Sequence, residues 1–285
     1  MNVIQIGPFT LDGLIFLCVV AFAAAMFAAM RYDKKHGGQV EKIVWWLTVG
    51  AALVGRLVFV LRFWSAYSAQ PMEIINIRDG GFDWRAALVV YGLALVVFWF
   101  RRRSLFKGLI GSLGVAVLVI GGGLLWLSPQ KKDIPNWYQM AHLEHLQPLL
   151  GTASDTAQIA QDGEGAMMHY QGKPTVINLW ATWCPPCRRE MPVLEQAQKK
   201  HQDVNFVFIN QGEQAEQILA FLEEQGLDLS NLWLDSNGLS GQAIHSKGLP
   251  STIFIDSSGQ IKNTRLGELS AASLEFYLES IQPQK

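Results

Sequence analysis

Cysteine is scarce in this chain: three among 285 residues, too few for a disulfide framework. A surplus of charge is missing too. Lys and Arg total 23 against 24 Asp and Glu, and no basic stripe gathers outside the loops flanking apolar segments, which excludes nucleic acid as a partner. No basic side chain precedes the first apolar run and no small-residue cleavage site follows it, so a secretory signal peptide is not the reading of that run. What the chain has in excess is apolar residues, 50% of the total with a mean hydropathy of +0.17. Nearly all of that excess lies before residue 130, and the remainder has ordinary globular composition. The two parts are therefore suited to different solvents: a helical membrane domain over residues 1–128, a linker over 129–147 and a water-facing domain over 148–285. Protein and membrane lipid are the partners this composition allows.

Four apolar segments, Leu11–Met30, Ile43–Phe63, Arg85–Phe100 and Leu105–Leu127, approach the ~20 residues that cross a bilayer. Arg31, Lys34, Lys35 and Lys42 fill the first connection, and Arg101, Arg102, Arg103 and Lys107 the third. Basic loops stay on the cytoplasmic side, so both termini are expected outside and the second domain in the periplasm of a bacterial inner membrane. Ser65–Arg85 reads as an external loop with turn signals at Pro71, Gly80 and Gly81. Arg56 lies deep in the second span and needs a polar partner or a water-filled cavity. Cys18, within Ile15–Val20, reads as a small buried residue.

The other two cysteines sit in Trp180-Ala181-Thr182-Trp183-Cys184-Pro185-Pro186-Cys187, just after the apolar run Thr175–Leu179. A Cys-x-x-Cys pair where a buried strand gives way to a helix brings two sulfurs within bonding reach. The unpaired N–H groups and dipole of the helix start favour the first sulfur as a thiolate. Cys184 is then the nucleophile, and Cys187, one turn inside, resolves the mixed disulfide by closing a Cys184–Cys187 bond. His142 and His145 flank Glu144 without a third clear ligand and read as an exposed turn; no metal and no other cofactor is assigned.

Beyond a Gly- and Gln-rich loop over 161–172, strand and helix alternate. Strands are expected at Thr175–Trp180, Val204–Asn210, Leu232–Asp235, Ser251–Asp256 and Gln260–Leu266. Helices are expected at Pro186–Lys200, Gln214–Gln225, Leu239–Ser246 and Ala271–Ile281. That order implies a mixed sheet covered by helices, with the dithiol at the carboxyl end of a central strand.

The run Trp180–Pro192 with Gly248-Leu249-Pro250-Ser251-Thr252-Ile253-Phe254-Ile255-Asp256 resembles the TlpA/ResA-like branch of the thioredoxin superfamily over about residues 145–285. The resemblance implies a thioredoxin-like α/β fold with one extra helix–strand unit at Gln214–Asp235. It also implies a cis peptide bond at Pro250 beside the dithiol, with the backbone of Leu249 offering hydrogen bonds to a bound peptide. Glu190 matches that branch's acidic residue near the dithiol, a proton shuttle, while Asn178 stands where many thioredoxins carry a buried aspartate. Trp183, Pro185 and Pro186 would border the bound substrate. Trp180 would pack, and Arg188 and Arg189 would stay solvated.

A second resemblance covers about residues 1–95. Ile4-Gln5-Ile6-Gly7-Pro8-Phe9, Gly55–Leu61, Pro71–Ile75 and Asp79-Gly80-Gly81-Phe82 are similar to the first part of the prolipoprotein diacylglyceryl transferase family. That family places a His-Gly-Gly element where this chain has Asp83-Trp84-Arg85, and its later arginine and tyrosine positions have no counterpart here. The expectation is therefore a multi-pass, periplasm-facing protein-disulfide reductase acting on exported proteins, as in cytochrome c maturation. A separate membrane thiol reductase would donate electrons, since the membrane domain carries only Cys18. A thiol oxidase or isomerase is the alternative within this chemistry, and a lipid-modifying transferase with an accessory redox domain is the alternative of another class.

Overall fold

The computed structural model describes residues 3–6, 9–69, 71–127, 144–145, 170, 172–244, 246 and 248–282. His142 and most of the expected loop over 161–172 lie outside them. The chain forms two compact units that are not consecutive stretches: Asn2–Ser65 with Gly81–Lys132, and Ala66–Gly80 with Asp133–Lys285.

In the first unit a short hairpin, β1 (Val3–Ile6) and β2 (Phe9–Asp12), precedes α1 (Gly13–His36) and α2 (Val40–Arg62). The others are α4 (Trp84–Arg101) and α5 (Arg103–Leu127); α3 (Trp64–Ala69) intervenes in sequence. The expected first span shifts: Leu11 belongs to β2, and the helix runs on through the basic residues to His36. Each of the four long helices is long and apolar enough to cross a membrane. Leu53, Leu57, Leu61, Leu88 and Leu93 are exposed on them, an arrangement that water penalises and hydrocarbon does not. Cys18 is exposed as well, against the expectation of burial. α1 is apolar around its whole circumference, so its sequence does not mark which face packs inward.

Asp33 accepts from the backbone N–H groups of Val40 and Glu41 at 3.0 and 2.9 Å, covering two of the donors that α2 leaves open at its start. Arg56 is buried, and its Nη1 donates to the Gly81 carbonyl at 2.8 Å, the polar partner its depth demands. Asp83 accepts from the N–H groups of Arg85 and Ala86, so the position where the transferase family carries its histidine element caps α4 here.

The second unit holds a six-stranded sheet. Its strands are β3 (Glu144–His145), β4 (Thr175–Trp180), β5 (Asn205–Gln211), β6 (Leu232–Asp235), β7 (Ser251–Ile255) and β8 (Ile261–Leu266), in spatial order β3-β6-β5-β4-β7-β8. β4, β5 and β6 run parallel; β3, β7 and β8 pair antiparallel to their neighbours. The helices are α6 (Pro185–Lys200), α7 (Ala215–Gln225), α8 (Leu239–Ala243) and α9 (Ala271–Ile281). Glu144 and His145, expected in an exposed turn, form an edge strand against Leu234 and Trp233; two residues are too few to show a period.

Alternation along the strands divides the core. Val176, Trp180, Phe206, Phe208 and Phe254 face α6, α7 and α9, whereas Ile177, Leu179, Val207, Ile209 and Ile253 pack with Tyr170, Trp233 and Ile244. Every residue of β4 is buried, as a central strand covered on both faces requires. Phe208→Ala should cost about 3–5 kcal/mol, read as a lower urea midpoint with an unchanged slope.

Candidate functional site

β4 ends at Trp180, the chain turns through Ala181–Trp183, and α6 begins. Cys184 is the N-cap of α6: its backbone is extended at φ −91° and ψ 106°, and its Sγ accepts from the Cys187 N–H at 3.3 Å. Pro185 and Pro186 fill the first two helical positions, where a missing N–H costs nothing and the ring's fixed φ suits the helix. The two cysteines are joined by a disulfide, with Cα atoms 5.3 Å apart. Sγ of Cys184 is aimed at a backbone donor and the positive end of the helix dipole, the two influences that favour a thiolate.

Glu190 lies one turn after Cys187 on the same helix and is completely buried. Its Oε1 accepts from Asn178 Nδ2 at 2.8 Å and its Oε2 from the Leu269 N–H at 3.0 Å. Asn178 Nδ2 also reaches Thr252 Oγ1 on β7 at 3.1 Å. Burial pushes the Glu190 carboxyl up to about 8, against the opposing pull of the Asn178 and Leu269 hydrogen bonds; Glu268 adds to the rise and Arg265 opposes it. The asparagine at the position where many thioredoxins carry an aspartate is thus a hydrogen-bond donor to this carboxyl.

Pro250 follows a cis peptide bond from Leu249 and is buried, and its carbonyl accepts from the Gly267 N–H at 2.9 Å. Leu249 is half-buried against the same core that holds both cysteines. Trp183, at 65% exposure, and Pro185 lie open to solvent beside the dithiol, Pro186 is half-buried, and Trp180 is sealed in the core against Phe221. Arg188 and Arg189 are exposed, but neither is simply solvated. Arg188 lies over the Phe221 ring at 5.1 Å, and Arg189 pairs with Glu268 at 2.6 Å. Among the described residues no three His, Cys, Asp or Glu side chains gather as a metal site.

One contributor escaped the sequence reading. Glu213, just beyond β5 and buried, accepts from the Thr182 N–H at 2.7 Å, from the Thr182 hydroxyl and from Asn210 Nδ2 at 2.7 Å. It braces the turn two residues before Cys184 from the end of the neighbouring strand. No motif spacing marks it, because the contact joins residues 31 apart in sequence.

The Redoxin family model matches residues 152–277, and the prolipoprotein diacylglyceryl transferase model matches residues 1–124, further than the stretch that carries the sequence resemblance. The chain is similar to the thiol-disulfide oxidoreductase ResA of Geobacillus kaustophilus, 34% identical over 122 residues, covering 42% of this chain and 70% of that protein. It is also similar to the thiol:disulfide interchange protein DsbE of Escherichia coli K12, 34% identical over 113 residues, 40% of this chain and 58% of that one.

Two outcomes are expected. A carboxyl whose pKa rises on folding from 4.5 to about 8 holds more protons folded than unfolded between those values, so stability is full below pH 4.5 and falls as pH rises towards 8. Glu190→Gln should remove that decline from a plot of unfolding midpoint against pH; an identical slope in both proteins refutes the assignment. Glu213→Ala takes the acceptor from part-buried donors at Thr182 and a buried one at Asn210 and should cost about 1–3 kcal/mol in denaturant unfolding.

Proposed function

We propose, because this chain belongs through its C-terminal half to the ResA-like thiol-disulfide oxidoreductases, that it is a membrane-anchored, periplasm-facing reductase of disulfides in exported proteins. The observation that carries this reading is the pairing of a sulfur seated at the α6 N-terminus with a buried carboxyl one turn beyond its partner. In the reduced protein the Cys184 thiolate attacks one sulfur of the substrate disulfide, forming a mixed disulfide and releasing the other sulfur as a thiolate. Cys187 loses its proton and attacks Sγ of Cys184. The Cys184–Cys187 bond closes, the second substrate sulfur leaves, and two electrons have passed to the substrate. Glu190, at about 8, is close to the ordinary thiol pKa of ~8.5, so it can take the Cys187 proton and return one to a departing thiolate with little energetic cost either way.

Trp183, Pro185 and Leu249 border the entry to the dithiol and would contact the substrate chain. Exported proteins with cysteine pairs, including those that receive haem in cytochrome c maturation, are the substrate class this supports. The basic clusters at Arg31–Lys42 and Arg101–Lys107 support an orientation with both termini outside the cytoplasm. Among residues 1–128 the only thiol is Cys18, which supports a separate membrane thiol reductase as the electron donor.

Thiol trapping in intact cells, by acid quench and alkylation, should find Cys184 and Cys187 mostly reduced at steady state. A mostly oxidised pair turns the direction towards disulfide formation. Serine at Cys184 or Cys187 should abolish turnover of a protein disulfide, whereas Cys18→Ser should not; loss in Cys18→Ser would overturn the external donor.

A further inference from the structure

The segment Ala66–Gly80, expected as an external loop, belongs to the compact unit of the redox site. It contains the end of α3 and two short 3-10 turns, Pro71–Ile74 and Ile77–Asp79. Two of its polar side chains are buried: Tyr67 at 1% exposure and Asp79 at 3%. Asp79 Oδ2 accepts from the Tyr67 hydroxyl at 2.8 Å and from the Ser270 hydroxyl at 3.1 Å. Ser270 is the N-cap of α9, its Oγ also accepting from the Ser273 N–H, and the residue before it, Leu269, donates its N–H to Glu190. Gly80 closes on Arg265, whose guanidinium would stand 2.9 Å from a Cβ placed there, and the glycine takes φ +70°. Beside this seam is a small cavity lined by Tyr67, Glu73 and Asp79 from the segment and by Arg189, Glu268 and Ser270 opposite.

We propose that Ala66–Gly80 is a built-in partner of the redox site, seated through Asp79 on the α9 N-cap so that it fixes the backbone holding the Glu190 carboxyl. The inference rests on Glu190 being the proton carrier of the dithiol. A buried carboxylate that accepts from two hydroxyls at one oxygen is anchored more firmly than an exposed ion pair. Its removal takes one acceptor away from two hydroxyls and loosens the connection between β8 and α9. Water then reaches Glu190 more readily, and the main cause of its raised pKa weakens. The groups acting on Glu190 are Asn178 from β4, Arg265 from β8, and Glu268 and the Leu269 N–H from the β8–α9 connection, while the cysteines precede it at the start of its own helix. Only Arg265, Glu268 and the cysteines carry or titrate charge.

The test uses the full chain in detergent. Asp79→Ala should speed amide hydrogen exchange over residues 268–273 by about tenfold. It should also move the alkaline midpoint of thiol exchange with a protein disulfide down by roughly half a pH unit or more. Tyr67→Phe, which deletes one hydroxyl and little volume, should shift both in the same direction by less and guards against a misfolded Asp79→Ala. Glu190→Gln separates the two readings, since it should abolish the midpoint. If it leaves the midpoint in place, the proton-carrier role fails, and amide exchange alone then decides the seating. Unchanged exchange over residues 268–273 in both Asp79→Ala and Tyr67→Phe overturns the inference.

Discussion

The second unit closes around one buried carboxyl held from two sides. Glu190 takes a hydrogen bond from Asn178 on the central strand and another from the Leu269 backbone ahead of α9, so sheet, catalytic helix and closing helix meet at one group. Without such donors a carboxyl at that depth would be far costlier than it is, and it would have no reason to stay beneath the dithiol. With them it stays buried, its pKa pushed up to about 8 by burial against the pull of those hydrogen bonds.

The dithiol itself is organised by simpler means. A strand buried on both faces delivers the chain to a fixed point, two prolines start the helix without wasting donors, and Cys184 serves as the cap. Glu213 holds the intervening turn from the next strand's end. The chemistry is therefore presented by a rigid turn between regular elements, with Trp183 projecting from it.

The helical unit carries a different history. Its match to the transferase family extends over residues 1–124, yet Asp83 caps a helix at the position of the family's histidine element, and Arg56 bonds a nearby carbonyl. Both residues have local structural partners. Tyr67 of α3 and Asp79 ahead of α4 instead contribute buried groups to the unit of the redox site.

Local signals in the amino-acid order were enough to determine the division into an apolar helical part and a globular part, the four long helices, the strand and helix alternation after residue 175 and the dithiol with its prolines. Each depends on neighbours within one turn or one strand. The edge strand at Glu144–His145, the exposure of Cys18, the bracing by Glu213 and the seating of Asp79 on Ser270 were decided only by tertiary structure. Two residues have no periodicity, an evenly apolar helix has no marked face, and hydrogen bonds spanning 31 and 191 positions leave no trace in local spacing. Glu190 belongs to both accounts: its place one turn after Cys187 was readable, but its complete burial, and hence its raised pKa, exists only once β4 and the start of α9 close around it.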